Sequence, residues 1–488
     1  MNSESTPSAK QFALLTAVTA AAIAVHGYHP YVEDAEIYVP GIKKALNPAL
    51  YPFNTGFFAS HAHLTLFPNL IAASVRITHL PFDWALLLWQ FGSVFMLLLG
   101  CWHLGRLCFD DPRAKWGSVA LVASLLTIPV AGTALYIMDQ YVTSRALSTP
   151  AVLFLVINAA EKKFVRAGLW AVFTASVHPL MVVFGLSFVF LIVVMGQRGM
   201  ARRIERPASA LMLIPFFPPM TDAYRQVLQS RSYFFLLQWE WYEWVGIFAP
   251  LVIFWWFSRV AKRRGLSLLE LLCKVSIVFG LVFFVVAAVI TIPKSLARFA
   301  ELQPMRSLHL LYVLLFIVAG GLLAQFVLKS HWWRWALLFL PIAGGMFYAG
   351  RQLFPDSPHL ELPDRAPQND WASAFLWIKS NTPIDAYFAL DPEHMELPGE
   401  DQHGFRAMAE RSMLADKIKD SGAVTMFPAL AETWQEQTRE QDGWKNFHPA
   451  DFQRLQQKFG VNWFVLTEGL PGMACPYKNR AVAVCRLP

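Results

Sequence analysis

The sequence predicts an α-helical polytopic membrane protein of about eleven transmembrane helices, followed by a small C-terminal α/β domain. Three observations predict it. Apolar residues fill 55% of the 488 positions and charged residues only 15%, against about 25% charged in an ordinary soluble domain. Apolar runs of roughly 17–25 residues, the length that crosses a hydrocarbon core, recur up to residue 350. Beyond Arg351 the pattern changes to short alternating helical and strand-like segments.

Taken in order, Gln11–Gly27 reads as an uncleaved first anchor, since its apolar stretch is long and no A-x-A site follows it. The loop YHPYVEDAEIYVPGIKKALNPALYPFNTGFFASHAH comes next, and 57–77 within the same loop region reads as an interfacial or re-entrant helix rather than a span. Further spans are expected near 82–104, 116–135, 146–160, 165–178, 180–196, 208–220, 244–258, 268–291, 307–328 and 335–350. A Pro-rich stretch, FPDSPHLELPDRAP, then closes the membrane part. In the tail, Asp370–Ser380, Met426–Gln437 and Pro449–Phe459 read as helices, and Ala386–Leu390, Asn462–Leu466 and Ala481–Leu487 as strands. The expected organisation is a transmembrane domain at 1–350 with a large first outer loop at 28–81, a linker at 351–367, and an extracytoplasmic α/β domain at 368–488.

Orientation follows from Lys and Arg. One set of loops (GRLCFDDPRAK, EKKFVR, QRGMARRIER, RVAKRRG, KSHWWR) carries sixteen of them in forty positions, and the opposite set nine in about a hundred. The basic set belongs in the cytoplasm. This places the N-terminus inside and the loops 28–81, 136–145, 221–243 and 292–306 outside, together with the tail. The formal charge of +7 is thereby explained as an orientation signal, not a nucleic-acid footprint. Trp239, Trp241, Trp244, Trp332, Trp333 and Trp335 sit at span ends, as interfacial anchors do. Cys101, Cys108 and Cys273 read as buried thiols. Cys475 and Cys485 bracket CPYKNRAVAVC and form a disulfide if the tail faces an oxidising compartment, and remain thiols otherwise.

Four constellations could carry chemistry. Glu33, Asp34 and Glu36 follow the first span. A carboxylate there, its pKa raised by desolvation, suits a general base for an acceptor hydroxyl; the alternative is a solvated helix start with Asp34 as N-cap. Lys294, Arg298 and Arg306 lie on the side the orientation bias depletes of cations. Arg offers a fork for phosphate, and the alternative is snorkelling to headgroups. His178-Pro179 breaks two apolar runs at the outer surface. His61 and His63 could join Asp34 at a metal, or simply lie at the interface. Asp139 and Arg145 read as a structural pair. The chain carries no P-loop, no G-x-G-x-x-G, no G-x-S-x-G and no apolar helix with a ladder of acids, which disfavours an ATP-driven pump and an ion-coupled transporter.

Together the motifs Glu33-Asp34-Ala35-Glu36-Ile37-Tyr38, His178-Pro179 and Arg298…Gln303-Pro304-Met305-Arg306, with the tail segments WIKSNTPIDAYFAL, FRAMAERSMLADKIK and FGVNWFVL, resemble the GT-C superfamily of integral-membrane glycosyltransferases, in an uncharacterised bacterial branch. The resemblance implies a GT-C-like fold in a bacterial inner membrane with a periplasmic tail. It also implies an inverting transfer of sugar from a polyprenyl-phosphate lipid donor to a glycan, lipid or protein acceptor of the cell envelope. It places the first-loop acid on Asp34, with Glu33 and Glu36 beside it, and the phosphate-binding group on Arg306 or Arg298, with Lys294, Gln303, His178, His61 and His63 as further substrate contacts. The superfamily's second acidic motif is reduced here to Asp139 in YIMDQY, so no cofactor is assigned, and a divalent metal stays the open alternative. The readings held against the transferase are a non-catalytic polyprenyl-lipid or glycan binding and assembly protein on the same fold, and a lipid or sugar transporter.

Overall fold

The computed structural model describes residues 7–196, 220–469 and 472–487. The QRGMARRIER loop and the expected span at 208–220, except its last residue, lie outside the described residues. Among the described residues six helical segments are long and apolar enough to cross a membrane: Ala9–His26, Phe82–Cys108, Pro179–Gly196, Trp241–Arg264, Ser267–Thr291 and the run Ser295–Leu328. The chain is thus a multi-pass membrane protein.

Helix α1 (Ala9–His26) begins at a capping box between Ser8 and Gln11 and stops at Gly27, whose φ of 92° suits glycine. The first loop then folds into three short helices, α2 (Ala35–Leu46), α3 (Gly56–Leu64) and α4 (Phe67–Thr78). The single interfacial helix expected over 57–77 is broken at Thr65-Leu66, where the chain turns extended before Pro68 opens α4.

Then follow α5 (Phe82–Cys108) and α6 (Pro112–Ser124). The span expected over 116–135 is corrected here: α6 ends at Ser124, and an irregular stretch runs to Thr143, pinned by a bridge between Pro129 and Tyr136. Pro129 has no N–H to give a helix, and a side chain on Gly132 would enter the ring of Trp239.

Helices α7 (Ser144–Ala160) and α8 (Phe164–Val177) are apolar but short, and His178 separates α8 from α9 (Pro179–Gly196). After α10 (Asp222–Gln229), α11 (Trp241–Arg264) closes on Gly265 with Lys262, Arg263 and Arg264 in its last turn, where they complement the helix dipole. Helix α12 (Ser267–Thr291) leads into two 3₁₀ segments, Lys294–Leu302 and Pro304–Ser307, and then α13 (Leu308–Leu322), which widens into a π-turn to Leu328. Helices α6 and α13 touch backbone to backbone: a Cβ on Gly117 would lie 2.3 Å from Gly320 O. Helix α14 (Trp332–Leu353) is long but less apolar than the six. The count of about eleven spans therefore exceeds the segments that length and hydropathy support among the described residues.

The tail holds α15 (Asp370–Asn381), β1 (Tyr387–Leu390), α16 (Phe405–Ala409), β2 (Ser412–Met413), α17 (Asp420–Met426), α18 (Ala431–Glu440), α19 (Pro449–Phe459), β3 (Trp463–Leu466), β4 (Ala474–Lys478) and β5 (Ala483–Arg486). The helix expected at Met426–Gln437 is split because Pro428 follows Phe427 and ends α17. The five strands form one sheet in the order β2-β1-β3-β5-β4, parallel across β2-β1-β3 and antiparallel across β3-β5-β4. Cys475 and Cys485 are disulfide-bonded and join β4 to β5.

The first loop and the tail interlock. Val32 bridges His403, and Tyr51 Oη donates to Arg406 O at 2.9 Å. Lys43 Nζ donates to Ala407 O and pairs with Glu410, each at 2.7 Å.

Candidate functional site

Helix α2 separates the three first-loop acids by its own geometry. Asp34, Ile37 and Tyr38, at i, i+3 and i+4, share one face and line a cavity of about 450 Å³. Glu36 lies about 200° round the helix from Asp34, on the face turned to the tail. There it is fully buried: it accepts from the N–H groups of Arg406 and Ala407 at 3.1 Å each and from Arg406 Nη1 at 3.2 Å. Arg406 in turn holds Asp420 through both guanidinium nitrogens, at 2.9 and 2.7 Å. Glu36 thus clamps the loop to the tail and does not reach the cavity. Glu33, with φ at 55°, pairs closely with Lys419 and does not line the cavity either.

The alternative of Asp34 as a helix cap fails on geometry: it precedes α2 in helical conformation and its side chain caps nothing. Instead, Asp34 Oδ2 accepts from Arg145 Nη2 at 2.9 Å, and Oδ1 lies 3.4 Å from Lys419 Nζ. Arg145 is shared with the buried Asp139 at 3.0 Å, so the expected Asp139–Arg145 pair exists but also serves Asp34. The expectation of a raised Asp34 pKa is corrected. Burial does oppose its charge, but Lys419 and Arg145 outweigh burial and hold the carboxyl well below the usual carboxylate range. Its side chain stays 30% exposed while that of Arg145 is 9% exposed, so the carboxylate is the group a ligand can touch.

Opposite Asp34, Gln303 takes a left-handed conformation (φ 45°) between the two 3₁₀ segments. Gln303, just before the second segment, and Arg306 within it both line the cavity. Arg306 makes no ion pair among the described residues, and its guanidinium carbon lies 5.9 Å from the Tyr233 ring centre. Arg306 Nε, Gln303 Oε1 and His61 Nδ1 are buried without a hydrogen-bond partner among the described residues. These groups are open to hydrogen bonds from a polar ligand or from water.

His61 comes from α3 and His178 from the α8–α9 junction, and both line the cavity. Burial lowers the His61 imidazole to about 4, so it faces the cavity neutral. Leu64, Leu180, Val183 and Leu302 form an apolar rim, and Gly422, Thr425, Met426 and Phe427 of the tail close one side.

The remaining expected residues lie elsewhere. His63 is exposed on α3. Arg298 is half-buried, stacks on Phe299 at 4.8 Å and is not in the cavity wall. The Lys294 side chain lies outside the described residues. Among the described residues no three or more His, Cys, Asp or Glu gather as a metal site. Asp34 and Asp139 already share a guanidinium, so the donor set does not fit a divalent ion.

Sequence reasoning missed the reach of Lys419, which crosses from the tail to the first-loop acids, and the part of Tyr233 and Glu301 in the cavity wall.

No family model matches the sequence, and no curated protein matches it. Among solved structures the fold is similar to the oligosaccharyltransferase of Archaeoglobus fulgidus in its apo form, at 12% sequence identity and a TM-score of 0.49, over 93% of this chain and 69% of that one.

Proposed function

We propose that this chain is an inverting membrane glycosyltransferase that moves a sugar from a polyprenyl-phosphate donor to an acceptor hydroxyl on the extracytoplasmic side of a bacterial inner membrane. The observation that carries the reading is one cavity joining an ionised carboxylate, Asp34, to an unpaired guanidinium, Arg306, beside an apolar rim. A lipid-borne phosphodiester needs those parts: a cation for its phosphate and an apolar exit for its chain.

The acceptor oxygen attacks the anomeric carbon, the bond from that carbon to the phosphate oxygen breaks, and its electron pair leaves with the polyprenyl phosphate. Arg306 neutralises the charge that grows on the leaving oxygen. Asp34 accepts the hydroxyl proton. With its pKa held low it is a weak base, so it takes the proton late, after the acceptor oxygen has become acidic by bonding to carbon. The Cys475–Cys485 bond supports placing the tail in an oxidising compartment.

One observation favours the non-catalytic reading: both Asp34 oxygens already face a cation. A transfer assay separates the two. Synthetic short-chain polyprenyl-phosphate sugars are supplied as donors to the wild type, Asp34→Asn and Arg306→Gln, with polyprenyl-phosphate binding measured in parallel. The transferase reading expects turnover by the wild type, and expects Asp34→Asn to bind the lipid but transfer at least about a hundredfold more slowly. Lipid binding without turnover by any donor, or full turnover in Asp34→Asn, overturns it.

A further inference from the structure

A second cavity, of about 620 Å³, lies among α5, α7 and α8, away from the candidate site. It is built with helical regularity. From α5 come Trp89, Ser93 and Met96, from α8 Arg166, Trp170 and Phe173, each at i, i+4 and i+7, and α7 adds Leu147 and Ala151. Gly92 faces open space: a Cβ there would meet nothing within 4 Å. The lining is apolar except for two groups. Ser93 is 3% exposed and its Oγ has no hydrogen-bond partner among the described residues. Arg166, in the first turn of α8, makes no ion pair among the described residues, and nearby Glu161 is taken by Lys163 at 2.9 Å.

Helix direction places the cation. Arg166 starts α8 and His178 ends it at the candidate site, roughly 18 Å further along at 1.5 Å per residue. The groove spans α8 from Phe173 back to Arg166 and reaches Leu147 in the first turn of α7, with its one unneutralised charge at the end of α8 away from the candidate site.

We propose that this groove holds one anionic glycerophospholipid of the leaflet opposite the candidate site, its phosphate on Arg166 and an acyl chain along Trp170, Phe173 and Ser93. An apolar channel ending in a single unpaired guanidinium is complementary to that ligand. A zwitterionic lipid would bring a second cation beside Arg166, Lys162 and Lys163, with only Glu161 to receive it. The bound lipid braces the helices that carry Arg145 and His178, and the assignment is independent of what the candidate site does.

Native mass spectrometry of the delipidated full chain tests it, with dioleoyl phosphatidylglycerol or dioleoyl phosphatidylcholine added back. The expected result is one phosphatidylglycerol retained per chain, at least tenfold more tightly than phosphatidylcholine. Arg166→Gln and Gly92→Leu should each lose that preference, and Arg166→Lys should keep most of it. Equal retention of the two lipids overturns the proposal, as does unchanged preference in both disabling variants. Displacement of the bound lipid by polyprenyl phosphate at equal concentration also overturns it, since the groove would then be a carrier site. If Gly92→Leu fails to fold, the Arg166 pair decides alone.

Discussion

Replacing Glu36 by Ala should detach the first loop from the tail. The variant leaves two donors without an acceptor in a fully buried place, the N–H groups of Arg406 and Ala407, and takes one of the two acceptors of Arg406 Nη1, which keeps Asp420. Each orphaned donor costs roughly 1–3 kcal/mol. The losses share a site and do not add; with Glu36 ionised, at a pH above its raised pKa of about 8, the cost of removing one partner of a buried ion pair, about 3–5 kcal/mol, is the better guide. Arg406 keeps Asp420, which holds the lower part of that range. Hydrogen exchange reads the opening directly. The amides of Arg406 and Ala407 should exchange about two to three decades faster than in the wild type, at 1.4 kcal/mol per decade. Amides of the β1–β3 pair, in the sheet core, should be unchanged. A less than threefold change at Arg406 and Ala407 would refute the clamp, and equal acceleration across the sheet would show global unfolding instead.

Three further outcomes are expected. Burial raises Glu36 to about 8, opposed by Arg406, while Asp416 and Asp420 add to the rise. A carboxyl raised in the folded state binds a proton the unfolded chain has released, so this contact loses stability as pH climbs from about 4.5 towards 8; exchange at Ala407 should quicken over that window, and a flat profile contradicts it. Asp34 is shifted the other way, so its contribution is present above the unfolded carboxylate pKa and is lost as pH falls through the folded value. Lys419→Met should raise the Asp34 pKa by about one unit or more, read by titration of the carboxyl signal; an unmoved titration refutes the role of Lys419. Reducing the Cys475–Cys485 bond, which closes a loop with a sequence separation of 10, should cost the sheet about 3 kcal/mol, seen as a lower denaturation midpoint in reductant, and an unchanged midpoint contradicts it.

The membrane character was legible because hydropathy is a local property that survives folding. The tail's β1, β3 and β5 were legible from β-branched and aromatic runs, and α19 from Pro449 at its start and Gly460 at its end. The end of α6 was not, because 116–135 stays apolar throughout; only the packing of Gly132 on Trp239 shows why the chain must bend there. In the candidate site, Asp34, Arg306, Gln303, His61 and His178 were visible as polar residues where apolar or solvated ones were expected. What could not be read was which acid of Glu33, Asp34 and Glu36 faces the cavity. That depends on the phase of α2, and Lys419 depends on a contact across 385 residues. Arg298 and Arg306 look alike in sequence. The left-handed turn at Gln303 separates the half-buried Arg298 from the Arg306 that lines the cavity.

The most direct test of the central claim is the affinity of the purified chain for polyprenyl phosphate, compared between wild type, Arg306→Gln and Arg298→Gln. A charge-assisted contact is worth about 1.5–3 kcal/mol. Arg306→Gln should therefore weaken binding about ten- to a hundredfold, and Arg298→Gln should change it less than threefold. Equal losses in both variants, or none in Arg306→Gln, would contradict a phosphate site between Asp34 and Arg306.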